Sequence, residues 1–413
     1  MLIIGGLHYH MIPFSPPRID DLIIKEVTDA LKSGWITTGP KTKLFERKIA
    51  DYCKVSNVLA VNSWTAGAEL LLYWFGIKEG DEVIVPVYTY CASANIVRHR
   101  GATVIMVDVS ADFGIDVSKI EALITSKTKA IIPVDVGGLP VNYSAINELI
   151  QKKEIVKLFN PTTENQKKLG RILVLSDAAH SFGAIYKGQK VGSQTDFTVF
   201  SFHAVKNLTT AEGGAICINL PEPFDNDEEY KYLNTLTLHG QNKDALDKTQ
   251  KGSWEYDVID AGFKCNMTDV LSSIGLVECD RYETETLPKR KFVFEKYTNE
   301  FNKYDWAITP IFKDKGRETS YHLYLLRIKN CSMEERNAII QEIFDEDVSV
   351  NVHYKPLPLL SYYQSLSYQM SDFPVAKLMW ENEISLPVFY DLTDEQINRV
   401  VEVVVKSVKK IMS

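Results

Sequence analysis

Before residue 220 the apolar positions fall in short, mostly continuous runs. Seven of them read as strands: VLAVNS (58–63), DEVIVPV (81–87), ATVIMVDV (102–109), KAIIPVDV (129–136), ILVLSD (172–177), DFTVFSF (196–202) and GAICIN (214–219). Continuous runs of this length, rich in β-branched and aromatic residues, fit strands covered on both faces. Helix-like stretches over Ala66–Phe75, Ala92–Arg100 and Ser144–Lys152 lie between them. The alternation predicts an α/β fold with a mostly parallel seven-stranded sheet flanked by helices. From Met267 a helical pattern, MTDVLSSIGLVECDRYETE, leads into the last third of the chain. There Tyr321–Ile328 and Val348–Val352 read as strands, and Ser332–Phe344 and Asp394–Val405 as helices. This predicts a smaller C-terminal α/β domain, with a large domain over 1–285 and a small one over 286–413.

Three stretches break the pattern. Asn160–Lys168 (NPTTENQKK) is polar and turn-rich, and reads as a surface excursion. His239–Asp257 is too long for a simple connector and reads as a lid or binding loop. Its Lys243, Lys248 and Lys251 are candidates for contacting a diphosphate, and Trp254 or Tyr256 for stacking on a sugar or base. Leu59–Ile77 has the length of a membrane span, but Asn62, Glu69 and its strand-like start make it a buried strand-turn-helix.

Composition narrows the class. With 413 residues, 45% hydrophobic and 24% charged, the chain resembles an ordinary soluble enzyme. A net charge of −8 without a basic tract argues against nucleic acid or an anionic membrane as partner. The six cysteines are scattered without a CxxC pair, which predicts free thiols, no metal site and a cytoplasmic location. The N-terminal MLIIGGLHYHM lacks a basic start and a long apolar stretch, so no signal peptide is expected.

Candidate chemistry gathers where the predicted strands end, the edge at which open α/β sheets bind ligands. Asn62–Gly67 follows a strand and opens a helix, which offers free N–H groups to a phosphate; Ser and Thr there are equally ordinary helix caps. Asp177 ends an apolar strand, where a carboxylate needs a cation or proton donor; a pyridinium nitrogen or a backbone turn would serve. Ala179 is small enough for a flat ring to lie against it, and Tyr88 and Tyr90 are aromatics at the same edge, or core. Lys206 sits between a strand and Gly213-Gly214, as a solvated loop lysine or a desolvated amine nucleophile. A phosphate cradle, a carboxylate, a flat apolar surface and a lysine, in this order along a parallel sheet, together describe a pocket for pyridoxal phosphate.

Five stretches resemble the DegT/StrS family of sugar aminotransferases: GWITTGPKTKLFERKIADY, GDEVIVPVYTYCASANIV, SDAAHSFGA, SFHAVKNLTTAEGGA and VNVHYKPLPLLSYY. The likeness runs in family order from about Ile12 to about Ile411. It implies the aspartate-aminotransferase type of fold, pyridoxal 5'-phosphate (or its pyridoxamine form) as cofactor, and a homodimer with shared active sites. Lys206 matches the lysine bonded to the cofactor, Asp177 the partner of the ring nitrogen, and His180 the residue facing the ring's 3-oxygen. Tyr90 matches the stacking aromatic, and Thr65, Ala66 and Ser201 the phosphate contacts. In GFKCNMTD, Asn266 matches a phosphate contact from the neighbouring subunit; Lys264, His239 and His353 are carried over as substrate-binding. The Lys264/Asn266 version resembles the branch acting on UDP-linked 4-keto sugars. The implied activity is transfer of an amino group, with glutamate as donor, to a nucleotide-linked keto-sugar in amino-sugar or surface-polysaccharide biosynthesis. A sugar dehydratase of the same family would carry histidine in place of Lys206, and a non-catalytic regulatory member would have no need of Lys206, Asp177 and His180.

Overall fold

The computed structural model describes residues 11–242 and 255–412. All seven predicted strands form, as β1 (Asn57–Val61), β2 (Glu82–Pro86), β3 (Thr103–Val107), β4 (Thr128–Ile131), β5 (Leu173–Asp177), β6 (Phe197–Ser201) and β7 (Gly214–Ile218). They make one sheet in the order β1-β7-β6-β5-β4-β2-β3. β3, β2, β4, β5 and β6 run parallel, and β7 is antiparallel to both β1 and β6. Every residue of β5 and β7 is buried, as helices on both faces require. The apparent membrane span resolves into β1 and the Trp64–Trp74 helix, and no helix among the described residues is long and apolar enough to cross a membrane.

Because β7 reverses direction, β1, β5 and β6 point the same way and their C-terminal ends share one edge of the sheet. The helix after β1 starts at that edge, with Ser63 as N-cap accepting from the Ala66 N–H at 3.1 Å. Close packing here needs Gly214. A Cβ on it would lie 2.7 Å from the Trp64 nitrogen and 2.8 Å from the Phe200 oxygen.

A second hydrophobic cluster draws on the C-terminal third, with Phe294, Tyr324, Ile339, Ile384 and Val404 in its core. β8 (Tyr324–Ile328) and β9 (Glu383–Leu386) pair antiparallel within it. The predicted helices appear as Met333–Asp345, begun by a capping box at Ser332, and Asp394–Met412. Leu357, Tyr363, Ala376 and Met379 belong instead to the first cluster, so the C-terminal chain returns to the large sheet's side.

Three expectations are corrected. Val348–Val352 is not a strand: Val348 bridges only Ile12 and Asn351 only Ser385, so the segment changes partner before a ladder can form. The strand expected from Tyr321 begins at Tyr324. Tyr321 is left-handed (φ 58°), and the carbonyls of Tyr321 and His322 accept from the buried Arg290 at 2.9 and 2.8 Å. Asn160–Lys168 is no simple surface excursion. It contains the start of the Glu164–Leu169 helix, and buried Gln166 donates to the Phe75 carbonyl at 2.9 Å while Asn165 donates to that of Trp74 at 2.8 Å. These side chains satisfy carbonyls left over at the end of the Trp64–Trp74 helix.

Candidate active site

A cavity of about 350 Å³ opens at the shared C-terminal edge of β1, β5 and β6. Thr65, Tyr90, Asp177, His180, Ser201 and Lys206 all line it, as does His353 from the C-terminal third. Folding thus brings together residues as distant in the chain as Thr65 and His353.

Lys206 lies in the turn between β6 and β7, its N–H donating to the His203 carbonyl at 2.8 Å. Burial pushes its amine down to about 8, with Asp177 opposing the shift. An amine in that range gives up and regains a proton near neutrality. Asp177 ends β5. One oxygen accepts from Ser93 Oγ at 2.8 Å and the other from the Ala179 N–H at 3.2 Å. Burial raises its carboxyl to about 6, against the lowering by Ser93, Ala179 and Lys206. A carboxylate placed so deep, with two neutral donors, suits a cationic ring nitrogen.

His180 has a defined tautomer. The Gly137 N–H donates to Nδ1 at 3.2 Å, so the ring proton sits on Nε2, which lies 2.8 Å from Tyr354 Oη. Burial, with Lys206 and His353 nearby, holds the ring well below its usual pKa and therefore neutral. Tyr90 is 60% exposed at the cavity and sits 5.9 Å from the Tyr354 ring. Thr65 and Ser201 flank the helix start, and Gly213 lines the wall beside them; a Cβ there would come 2.2 Å from Thr210 Oγ1.

Four expected residues do not line this cavity. Ala66 turns its N–H to the Ser63 cap, so its backbone is spent locally. His239, Lys264 and Asn266 lie together beside the end of β1, where Asn266 bridges Val61: the His239 N–H donates to the Phe263 carbonyl at 2.7 Å, and Lys264 Nζ donates to Asn266 Oδ1. Asn266 in turn donates to Thr38 Oγ1 at 2.7 Å. Lys243, Lys248, Lys251 and Trp254 fall outside the described residues. Conversely, Ser93, His322 and Tyr354 line the site without having been singled out as site residues, although Tyr354 lies in the quoted VNVHYKPLPLLSYY stretch. His322 Nδ1 bonds Asn207 Oδ1 at 2.8 Å, and its ring lies 4.4 Å from that of His180.

Fold and site define a pyridoxal-phosphate enzyme of the aspartate-aminotransferase type. The chain belongs to the DegT/DnrJ/EryC1/StrS aminotransferase family, which it matches over residues 17–161 and 163–405. Spr1654 of Streptococcus pneumoniae, assigned as a sugar aminotransferase, superposes in its pyridoxamine-phosphate form with a TM-score of 0.93. It is 46% identical, covering 97% of this chain and 100% of that one, and it is also known in a pyridoxal-phosphate form. The spore coat polysaccharide biosynthesis protein SpsC of Bacillus subtilis is 34% identical over 405 residues, 97% of this chain and 98% of SpsC. MJ1066 of Methanocaldococcus jannaschii is 37% identical over 407 residues, with 97% and 98% covered. The protein is a pyridoxal-phosphate-dependent aminotransferase.

Proposed function

We propose that this aminotransferase moves an amino group from glutamate to a nucleotide-linked keto-sugar, in the making of amino sugars for surface polysaccharide. The supporting observation is the pairing of a lysine brought down to about 8 with a deeply placed Asp177 in one cavity. Likeness to a protein assigned as a sugar aminotransferase and to a spore coat polysaccharide protein supports the sugar as acceptor. The cofactor, when bound, supplies an electron sink for the electrons freed as a proton leaves the amino donor's α-carbon.

Each residue has an assigned part. Lys206 would hold the cofactor, and its amine, once free, would take up and return the proton at the amino donor's α-carbon. Asp177 would keep a proton on the ring nitrogen, with Ser93 holding the Asp177 carboxylate in place. His180 would offer its Nε2 proton, which faces Tyr354 Oη, to the ring's 3-oxygen. Tyr90 would cover the ring, and Thr65 and Ser201 would bind the phosphate with the N–H groups at the helix start. Lys264 and Asn266 serve the site of a second copy in a homodimer, which accounts for their absence from the lining of their own chain's cavity.

Purified protein should absorb as a lysine-bound pyridoxal enzyme and change spectrum with glutamate. The Lys206→Ala variant should lose that band and at least about 10²–10⁴-fold in turnover with keto-sugar acceptors. Full activity in that variant would overturn the assignment.

A further inference from the structure

β9 reads Glu383-Ile384-Ser385-Leu386, and its two faces differ in chemistry. Ile384 and Leu386 join the hydrophobic core of the C-terminal cluster. Glu383 and Ser385, two residues apart and so on the opposite face, are fully buried polar groups. They connect to the cavity through His353. Ser385 Oγ donates to Glu383 Oε1 at 2.5 Å and lies 2.8 Å from His353 Nδ1. The other Glu383 oxygen accepts the His353 N–H at 3.0 Å. His353 lines the cavity, stacked on Phe14 at 5.5 Å, and with Nδ1 tied to Ser385 the nitrogen left for a ligand is Nε2.

We propose that Glu383 and Ser385 are positioning residues of a proton relay that ends at His353 Nε2 and delivers a proton to a substrate oxygen in the cavity. Ser385 has one hydroxyl proton and cannot give it to both neighbours. When Glu383 carries a proton, it donates to Ser385, Ser385 donates to Nδ1, and the ring's own proton stands on Nε2. Delivery breaks the Nε2–H bond and forms an O–H bond on the substrate. Nδ1 takes the Ser385 proton, Ser385 takes that of Glu383, and the negative charge ends on Glu383. Amination of a keto group expels its oxygen as water, and that oxygen needs such a proton. The relay therefore deepens the keto-sugar reading and rests on it for the identity of the acceptor.

The surroundings match this direction of transfer. Arg336 and Arg327 bear on Glu383 and favour its anion, while Tyr88 and Tyr354 face it as neutral hydroxyls. Burial outweighs the lowering by Ser385, the His353 N–H and the arginines, and brings Glu383 to about 8, so it holds its proton at neutral pH. His353 faces Lys206, His180 and His322. Burial and Lys206 lower it to about 3, so the ring stays neutral and changes tautomer, not charge.

The test is nitrogen NMR of the cofactor-loaded protein with 15N-labelled imidazoles, the His353 signal being identified by its loss in His353→Gln. The expected result is an Nε2–H ring at pH 7 and an Nδ1–H ring at pH 9. Glu383→Gln, whose amide N–H donates to Ser385 permanently, should hold Nε2–H at both pH values. It should also slow the sugar half-reaction about 10²-fold or more in kcat. In Ser385→Ala the tautomer should no longer follow pH. One unchanged tautomer in the native protein, or a native-like pH response in Ser385→Ala, would overturn the relay. A tautomer that moves as stated in a protein inactive on every nucleotide keto-sugar would leave the relay standing and remove the proposed acceptor.

Discussion

Asp177 carries an energetic cost that the cofactor would relieve. Its carboxyl stands at about 6 in the folded chain, mainly through burial, against about 3.9 for an unfolded aspartate. An acid raised on folding stabilises the fold fully below its unfolded pKa, and that contribution is lost as pH rises through the folded value. Lys206 acts in another window: lowered to about 8, it destabilises the fold below that value and ceases to as pH climbs toward that of a free lysine, about 10.4. We expect the cofactor-free Asp177→Asn variant to gain on the native chain as pH rises from 4 to 7, by about 1–3 kcal/mol. Urea midpoints at both pH values measure the gain, and a difference independent of pH would refute it. Lys206 and Asp177 were legible in the sequence because each is a charged residue set at the end of an apolar run. Ser93, His322 and Tyr354 were not. Their partners Asp177, Asn207 and His180 lie 84, 115 and 174 positions away, and nothing local marks such pairs.

The Trp64–Trp74 helix is held at both ends by side chains outside it. Ser63 caps the start that faces the cavity, and Asn165 and Gln166 take up the carbonyls of Trp74 and Phe75 at the far end. The N-terminal cap can be read from the sequence, since it adjoins the helix. The C-terminal one comes from a polar segment about 90 residues on, where hydrophilicity alone suggests exposure. Gly214 sets how closely β7 approaches this helix. For Gly214→Ala we expect a loss of about 1–3 kcal/mol, because the Trp64 nitrogen and Phe200 oxygen are backbone atoms that cannot turn aside. Cofactor affinity should fall with it, since the helix start proposed to bind the phosphate moves. Thermal unfolding and cofactor titration read the two effects, and a variant with native values in both would show that the contact is relaxed at little cost.

At the scale of the molecule, the cavity of one chain gathers Lys206, Asp177 and His180, but not His239, Lys264 or Asn266. If a second copy supplies these, Lys206→Ala and Asn266→Ala chains, each weakly active or inactive alone, should recover activity when mixed. A mixed dimer has one site with both residues intact, so recovery approaching a quarter of the native rate is the arithmetic limit for equal random exchange. No recovery after proven subunit exchange would confine each site to one chain. By itself the sequence determined the seven strands and their mostly parallel arrangement, because a strand buried on both faces must be apolar throughout. It also determined the lysine and carboxylate, which stand where those runs end. Only the tertiary structure decided that Val348–Val352 forms no strand, that Gln166 is buried, and that Glu383 reaches His353 through Ser385. Those outcomes depend on which distant backbone or side chain arrives to make a hydrogen bond, and local periodicity carries no record of that.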